Sequence, residues 1–529
     1  MATMKGPGGM TTAPHHLASQ AGADILSEGG TAIEAMVAMA ATIAVVYPHM
    51  NGIGGDGFWL CDAGHGAPVG IAACGPSAAG ATGARYAGYD AIPPRGPEAA
   101  LTVAGTVAGW GEALEIGRDW GGRMPLSELL SNAMGHARAG FAVSRSQARL
   151  TAEKLHELSG VPGFAETFLA DGAPPDAGAI QRLDRLAATL DYIGAAGPDD
   201  FYRGDIARSI AHDLETAGAP LRLADLERYR ASRVAPLSIR VGGASLYNMP
   251  PPTQGASALA ILGVMDRIGA GKHDPEAQFV HDTVEATKAA FRLRNAEIFD
   301  PAHMRLSAGD LVAPERLDAM AAGIDRARAT PWSDRAVPGD TVWMGAIDGA
   351  GRSVSFIQSV YWEFGSGLVL PETGIQWQNR GIGFSLDPRH PNRLLPGRLP
   401  FHTLNPAMAR FDDGRRMVYG TMGGEGQPQT QAAIFARHVW RGMDLEAAIA
   451  APRWLLGRTW GAGTANLKIE AGLAGDVSDD LIRRGHDVEV VPDLDDTMGH
   501  AGAIMRHPDG RLDGASDPRS DGAAIAARG

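Results

Sequence analysis

The sequence predicts an α+β fold of stacked layers, with antiparallel sheets inside and helices outside. Strand pairs and helical blocks alternate along the chain without the regular strand–helix–strand rhythm of a parallel sheet. Strand-forming runs come as neighbours: LSIRVGGASLYNM in 237–249 and VWMGAIDGAGRSVSFIQS in 342–359, the latter folded about the turn Asp348-Gly349-Ala350-Gly351. The chain is also long, 529 residues with 45% hydrophobic and 20% charged, so it can bury a large core.

Residues 17–46 read as two helices. LASQAGADILSEGG has apolar residues at helical spacing and stops at Gly29-Gly30, and TAIEAMVAMAATIAVV follows. The loop from Pro48 to Gly57 leads into the strand FWLCDA. Residues 125–160 and 181–232 are helical in pattern, 237–252 is a strand pair ending at a Pro run, and 275–297 is a long amphipathic helix. The Ala-, Arg- and Asp-rich stretch 301–340, ending in ATPWSDRAVPGD, reads as a flexible connector. Strands dominate 341–380, 399–422 adds more, and helices return at 427–452.

Composition excludes several classes. With a net charge of −13 and no concentration of Lys or Arg, nucleic-acid binding is not expected. The 2 cysteines, Cys61 and Cys74, cannot make a disulfide framework and read as small buried hydrophobes. The N-terminus has no apolar signal region, and the apolar stretch Ala35–Val46 is far shorter than the roughly 20 residues a membrane span needs. A cytoplasmic, soluble protein with no membrane partner is expected.

Gly52-x-Gly54-Gly55-x-Gly57 follows a helix and opens a strand, the reverse of a dinucleotide fingerprint, so it reads as a tight backbone turn near a pocket. His15 and His16 are adjacent, His49, His402 and His500 are isolated, and neither HExxH nor Cys/His spacing occurs. No metal or other cofactor is expected. Gly365-Ser366-Gly367 has the wrong spacing for a nucleophile elbow.

Thr341 remains, at the head of the first strand of the 342–359 hairpin. A threonine hydroxyl is a poor nucleophile without an adjacent base. Scission between Asp340 and Thr341 would give Thr341 a free α-amine, which titrates near about 7.7–8.0 and can take the hydroxyl proton directly or through water. Ser359 closes the second strand. Gly423-Gly424, in GTMGGEGQPQTQ, can turn N–H groups into a cavity that no Cβ obstructs, as a developing oxyanion requires.

At these residues the chain resembles the γ-glutamyltranspeptidase family of N-terminal-nucleophile hydrolases. The resemblance spans almost the whole length: GMTTAPHHLASQAGADILSEGGTAIEA, VVYPHMNGIGGDGFWL, FYRGDIARSI, LADLERYRA, NMPPPTQGA, Gly339-Asp340-Thr341, FGSGLVLPETGIQWQN, LNPAMA, MGGEGQPQTQAA and APRW. It implies a four-layer αββα sandwich and self-cleavage between Asp340 and Thr341. The fragments, 1–340 and 341–529, would remain associated in one intertwined globule. It implies Thr341 as nucleophile, Ser359 as the hydroxyl that hydrogen-bonds the nucleophile's amine or hydroxyl, and Gly423-Gly424 as the oxyanion pair. The reaction is then acyl transfer through a Thr acyl-enzyme. Monomer and homodimer are both left open.

The departures from the family pattern bear on substrate. Cys74-Gly75 stand where γ-glutamyl enzymes carry the Arg-Glu that grips an α-carboxylate. Tyr361 replaces an Asn. Gln378-Asn379-Arg380-Gly381-Ile382-Gly383 replaces a stretch whose amine-binding Asp falls on Gly383, and His402-Thr403 replace paired serines. An ammonium site has thus lost its carboxylate, while Arg380 and His402 become available to hold a small anion. Arg380 reads equally as half of a structural ion pair, His402 as a packing residue, and Tyr361-Trp362-Glu363 as either a strand end or a wall narrowing the cavity. Among family branches, oxamate amidohydrolases, cytoplasmic enzymes acting on a small dicarboxylic monoamide, fit this pattern. A γ-glutamyl hydrolase or transpeptidase of glutathione type, and a glutaryl or cephalosporin acylase, are the alternatives. A catalytically dead binding protein is disfavoured by the joint presence of Thr341, Ser359 and Gly423-Gly424.

Overall fold

The computed structural model describes residues 2–4, 8–332, 340–457 and 464–528. Two seven-stranded sheets form its centre. Their strands are β1 (Ala2–Met4), β2 (Met10–Ala13), β3 (Asp56–Asp62), β4 (Val69–Ala73), β5 (Ser232–Val234), β6 (Leu237–Val241), β7 (Ala244–Asn248), β8 (Asp340–Ile347), β9 (Ser353–Tyr361), β10 (Ala407–Phe411), β11 (Arg416–Thr421), β12 (Ala501–Arg506), β13 (Leu512–Ser516) and β14 (Ala523–Ala526). One sheet runs β1-β13-β12-β11-β10-β7-β6 and the other β14-β2-β8-β9-β3-β4-β5. The pairings are antiparallel throughout.

Helices α1 (His16–Ser27), α2 (Ala32–Val46) and α3 (Thr106–Asp119) cover the outer face of the second sheet. Helices α4 (Gly255–Arg267), α5 (Glu276–Glu297) and α6 (Gly426–Phe435) lie on the side of the first. Helix α2 is buried along its whole length, as its apolar run requires, and starts at a capping box in which Thr31 and Glu34 satisfy each other's backbone N–H. Between the sheets Met10, Phe58, Leu60, Trp343, Ile357, Met408, Val418 and Ile504 form one apolar layer. The order of layers is therefore helix, sheet, sheet, helix. Strands from before and after residue 340 share both sheets.

The helix pairs, the 237–252 strand pair and the 342–359 hairpin form where the sequence puts them. Helix α5 is less amphipathic than its pattern suggests, because His281, Asp282, Glu285 and Lys288 are buried along with its apolar residues. Two expectations need correction. The stretch 301–332 is ordered rather than a connector: helix Pro314–Ala322 has proline in its first turn and buries Leu317, and Thr330 is tied to α5 through Glu285 and Lys288. Its continuation, 333–339, lies outside the described residues. After Tyr361 the chain leaves the sheet instead of continuing as strand, since Tyr361 and Phe364 take φ of 84° and 58°, left-handed values that end a β-ladder.

Candidate active site

Thr341, Ser359 and Asp56 stand in a row across three strands. Val342 pairs with Gln358 in the β8–β9 ladder, which shifts register beside Thr341, and Ser359 pairs with Asp56 in the β9–β3 ladder. Alternation along a strand puts these three on the face that carries Trp343, Ile357 and Phe58, between the sheets. Gln358 points the other way, to Asn51 and α2. Asp340 and Thr341 are consecutive in β8.

Thr341 is fully buried, and its Oγ1 accepts from Gln427 Nε2 at 3.4 Å. Gln427 sits in the first turn of α6. Its Oε1 accepts from Asn405 Nδ2 at 3.0 Å, which turns the amide nitrogen towards Thr341, and Asn405 is held in turn by Gln431. Ser359 Oγ accepts the Tyr361 N–H at 2.7 Å.

Gly423 and Gly424 link β11 to α6 with φ of 113° and 53°. Among the described residues neither N–H has a backbone acceptor, whereas both carbonyls are engaged: Gly423 O by Gly426 N–H at 2.8 Å, Gly424 O by Gln254 Nε2 at 2.8 Å. Gln254 is anchored by Arg294, which also forms a buried ion pair with Glu425 at 2.6 Å. The turn thus directs donors away from its own helix, at an N-terminus whose dipole favours negative charge.

Beyond Ser359 lies a set of buried polar atoms without hydrogen-bond partners among the described residues. They are the three guanidinium nitrogens of Arg380, both ring nitrogens of His402, Asp56 Oδ2, Thr403 Oγ1 and Gln378 Oε1. The Arg380 guanidinium stacks 3.9 Å from the centroid of the Tyr361 ring. Among the described residues no carboxylate is within ion-pair contact of Arg380, although Asp56 lies near enough for each to shift the other's titration. His402 packs its ring edge-on to Phe58 and holds Nε2 at 3.7 Å from Asp56 Oδ2, too far for a hydrogen bond. Asp56 Oδ1 accepts the N–H groups of Gly105 at 3.0 Å and Gly75 at 3.4 Å.

Burial governs the titration of this set. It pushes the Asp56 carboxyl up to about 7 against the opposing pull of Arg380, and it holds His402, beside Arg380, well below its usual range. Burial likewise lowers Arg380 and raises the Cys74 thiol and the Tyr361 phenol, the last to about 12. Around neutrality His402 is uncharged and Asp56 is divided between acid and carboxylate, so their approach is not a salt bridge.

The structure therefore gathers Thr341, Ser359, Gly423, Gly424, Tyr361, Arg380, His402 and Thr403 around one region between the sheets, while Trp362 and Glu363 turn to Arg95 instead. Sequence reasoning missed Asp56 and Gln427. The signal for Asp56 was an acid opening the buried strand DGFWLC; Gln427 lies in the quoted GQPQTQ, with nothing local to mark it. The glycine turn before Asp56 packs closely: a Cβ on Gly55 would lie 2.1 Å from Ser359 O. His281, Glu285 and His486, also unremarked in the sequence, lie close enough together to hold a cation, but Glu285 is already paired with Lys288 at 2.7 Å. Cys61 and Cys74 are free and buried. No helix among the described residues is long and apolar enough to cross a membrane.

A four-layer αββα sandwich with a threonine near the start of an inner strand, hydrogen-bonded by a glutamine from the helix that the diglycine turn opens, fits an amide-cleaving hydrolase of the N-terminal-nucleophile type. The family profile described as Gamma-glutamyltranspeptidase matches residues 18–527, and the chain belongs to that family. It is 55% identical to the oxamate amidohydrolase proenzyme of Klebsiella pneumoniae over 98% of both chains, and 40% identical to the glutathione hydrolase-like YwrD proenzyme of Bacillus subtilis, again over 98% of both. The cephalosporin acylase of Bacillus halodurans superposes with a TM-score of 0.90 at 32% identity, covering 100% of this chain and 97% of that one.

Proposed function

We propose that the protein is a self-processing amidohydrolase that releases ammonia from a small amide carrying a carboxylate, with oxamate as the type substrate. The observation that carries this reading is the unpartnered Arg380 guanidinium, buried beside the row that begins at Thr341. A buried cation with no carboxylate in contact is costly until an anion reaches it. No carboxylate stands at Gly383 to hold an ammonium group, which disfavours an α-amino-acid head.

In this reading Thr341 Oγ first attacks the Asp340 carbonyl, and hydrolysis of the resulting ester leaves fragments 1–340 and 341–529. Both sheets contain strands of each, so the fragments stay associated. The new α-amine then takes the Thr341 hydroxyl proton, Oγ attacks the substrate amide carbon, and the Gly423 and Gly424 N–H groups hold the oxyanion. Ser359 orients the amine, and Arg380, His402, Thr403 and Tyr361 hold the carboxylate end. Collapse of the tetrahedral intermediate expels ammonia, and water hydrolyses the acyl-enzyme to the dicarboxylate. The reading needs no cofactor and places the enzyme in the cytoplasm, as a monomer or a homodimer.

A denaturing gel of purified protein should show two bands summing to the full chain, and Thr341→Ala one band with no ammonia release from oxamate. Turnover of γ-glutamyl-p-nitroanilide but not of oxamate would overturn the substrate assignment.

A further inference from the structure

Asp56 has a place in the site that the family resemblance does not account for. One of its oxygens is fixed by two backbone N–H groups; the other is buried without a partner and faces the same space as the unpartnered atoms of Arg380 and His402. We infer that Asp56 is a specificity-determining residue of the acyl pocket: as a carboxylic acid, it donates from Oδ2 to the substrate carboxylate that Arg380 holds. This deepens the reading proposed above and rests on it for the location of the carboxylate.

The groups around Asp56 favour this arrangement. Gly75 and Gly105 occupy Oδ1, so when burial overcomes the pull of these N–H groups, of Arg380 and of Gln378 towards the carboxylate, the proton goes to Oδ2. His402, held neutral by burial, approaches from the first sheet, and Arg380 and Gln378 from the segment after β9. Cys74 ends the approach from β4, with its thiol raised by burial and by Asp56, and Tyr202 and Tyr229 face Asp56 from the 200–229 region with phenols raised well above neutrality. Arg380 is thus the one cation in the set. A single negative charge balances it: Asp56 when the pocket is empty at high pH, the substrate when it is filled. A substrate anion entering beside an ionised Asp56 would put two negative charges on one guanidinium, so binding draws a proton from solvent onto Asp56.

The test is calorimetric titration of oxalate, the dicarboxylate left by oxamate hydrolysis, into the processed wild type and Asp56→Asn from about pH 6 to about pH 9, in two buffers of different ionisation enthalpy. Asparagine keeps the Oδ1 acceptor and presents a permanent donor where the acid would be. Wild-type affinity should fall more steeply with rising pH than that of Asp56→Asn once Asp56 ionises, by about a further tenfold per pH unit and with about one more proton taken up; Asp56→Asn should keep only the dependence that the Thr341 α-amine imposes. The difference in uptake between wild type and variant assigns the proton to Asp56 rather than to the Thr341 α-amine, and Asp56→Ser gives the same comparison should Asp56→Asn fold poorly. A pH-independent wild-type affinity, the absence of proton uptake, or a folded Asp56→Asn with the wild-type slope would each overturn the inference. Oxalate binding with proton uptake but no ammonia from oxamate would sink the substrate reading while sparing Asp56. Turnover of oxamate with oxalate binding that takes up no proton would do the reverse.

Discussion

Gln427 donates its side-chain amide to Thr341 Oγ1 across the gap between the two sheets, joining the first turn of α6 to the head of β8. The contact is oriented from behind by Asn405 and Gln431, so the amide nitrogen rather than the oxygen meets the hydroxyl. The same nitrogen lies beside the place where the α-amine appears on scission.

Replacing that donor by a carboxylate should therefore change the base and spare the fold. In Gln427→Glu, a negative charge a few ångströms from the new ammonium stabilises its protonated form. The acidic limb of the kcat/KM profile should then move up by about one pH unit. Gln427→Leu, which adds no charge, should leave the limb in place while slowing self-cleavage, read as loss of the single-chain band over time. Coincident limbs in Gln427→Glu and the wild type would show that this side chain does not face the base.

Gly423→Ala tests the oxyanion turn. At φ of 113° an alanine is strained, and its Cβ would meet Gly499 Cα at 3.3 Å. The cost in stability should be about 1–3 kcal/mol, enough to lower the melting temperature without unfolding the chain. Because the N–H moves with the strained backbone, kcat should fall by roughly 10²–10³-fold, with a smaller change in KM. An unchanged kcat would remove Gly423 from the mechanism.

Arg380→Met separates stability from function. Arg380 is 1% exposed and its guanidinium has no hydrogen-bond partner among the described residues, so the folded chain bears a desolvation cost. Methionine fills similar space against Tyr361 without that cost. The variant should melt higher than the wild type, while KM for oxamate rises by about 10²-fold or more as the anion loses its charged partner. A lower melting temperature would instead assign Arg380 a structural pairing role.

Much of the architecture was legible because the second sheet is built from local pairs: the Asp348–Gly351 turn dictates the β8–β9 hairpin, and the Gly29-Gly30 stop separates α1 from α2. The nucleophile region was legible for a similar reason, since Thr341 and Ser359 lie at the two ends of one hairpin. What could not be read was contact across layers. Gln427 reaches Thr341 only because α6 caps the first sheet over the second. Asp56 meets His402 only through the stacking of strands about 350 residues apart in sequence, for which no local spacing exists. The connector assignment for 301–340 failed over its described part, 301–332, because polar composition outweighed Pro314 and Leu317, which start and bury a helix.

The buried histidines set the acid stability of the fold. His15 is lowered to about 3 and His500 to about 4, while His49 and His402 are held well below their usual range, each with burial as the leading cause. A histidine whose folded pKa is depressed contributes stability that is complete above its unfolded pKa of about 6.5 and is lost as pH falls below it, because the unfolded chain binds the proton first. Each should cost up to about 1.4 kcal/mol per pH unit between about 6.5 and its folded value. Asp56 opposes this: with a folded pKa near 7, it makes the fold more stable as pH falls from 7 towards 4. His486 is likewise lowered to about 3, and Asp213, Asp496 and Asp521 are raised by burial as Asp56 is; the deeply lowered histidines outweigh these, so the melting temperature should drop between about pH 6 and about pH 4.5, and Asp56→Asn, which removes one opposing group, should steepen the drop. Thermal melts across that interval that stay level in both proteins would mean that these histidines are not held neutral in the folded chain.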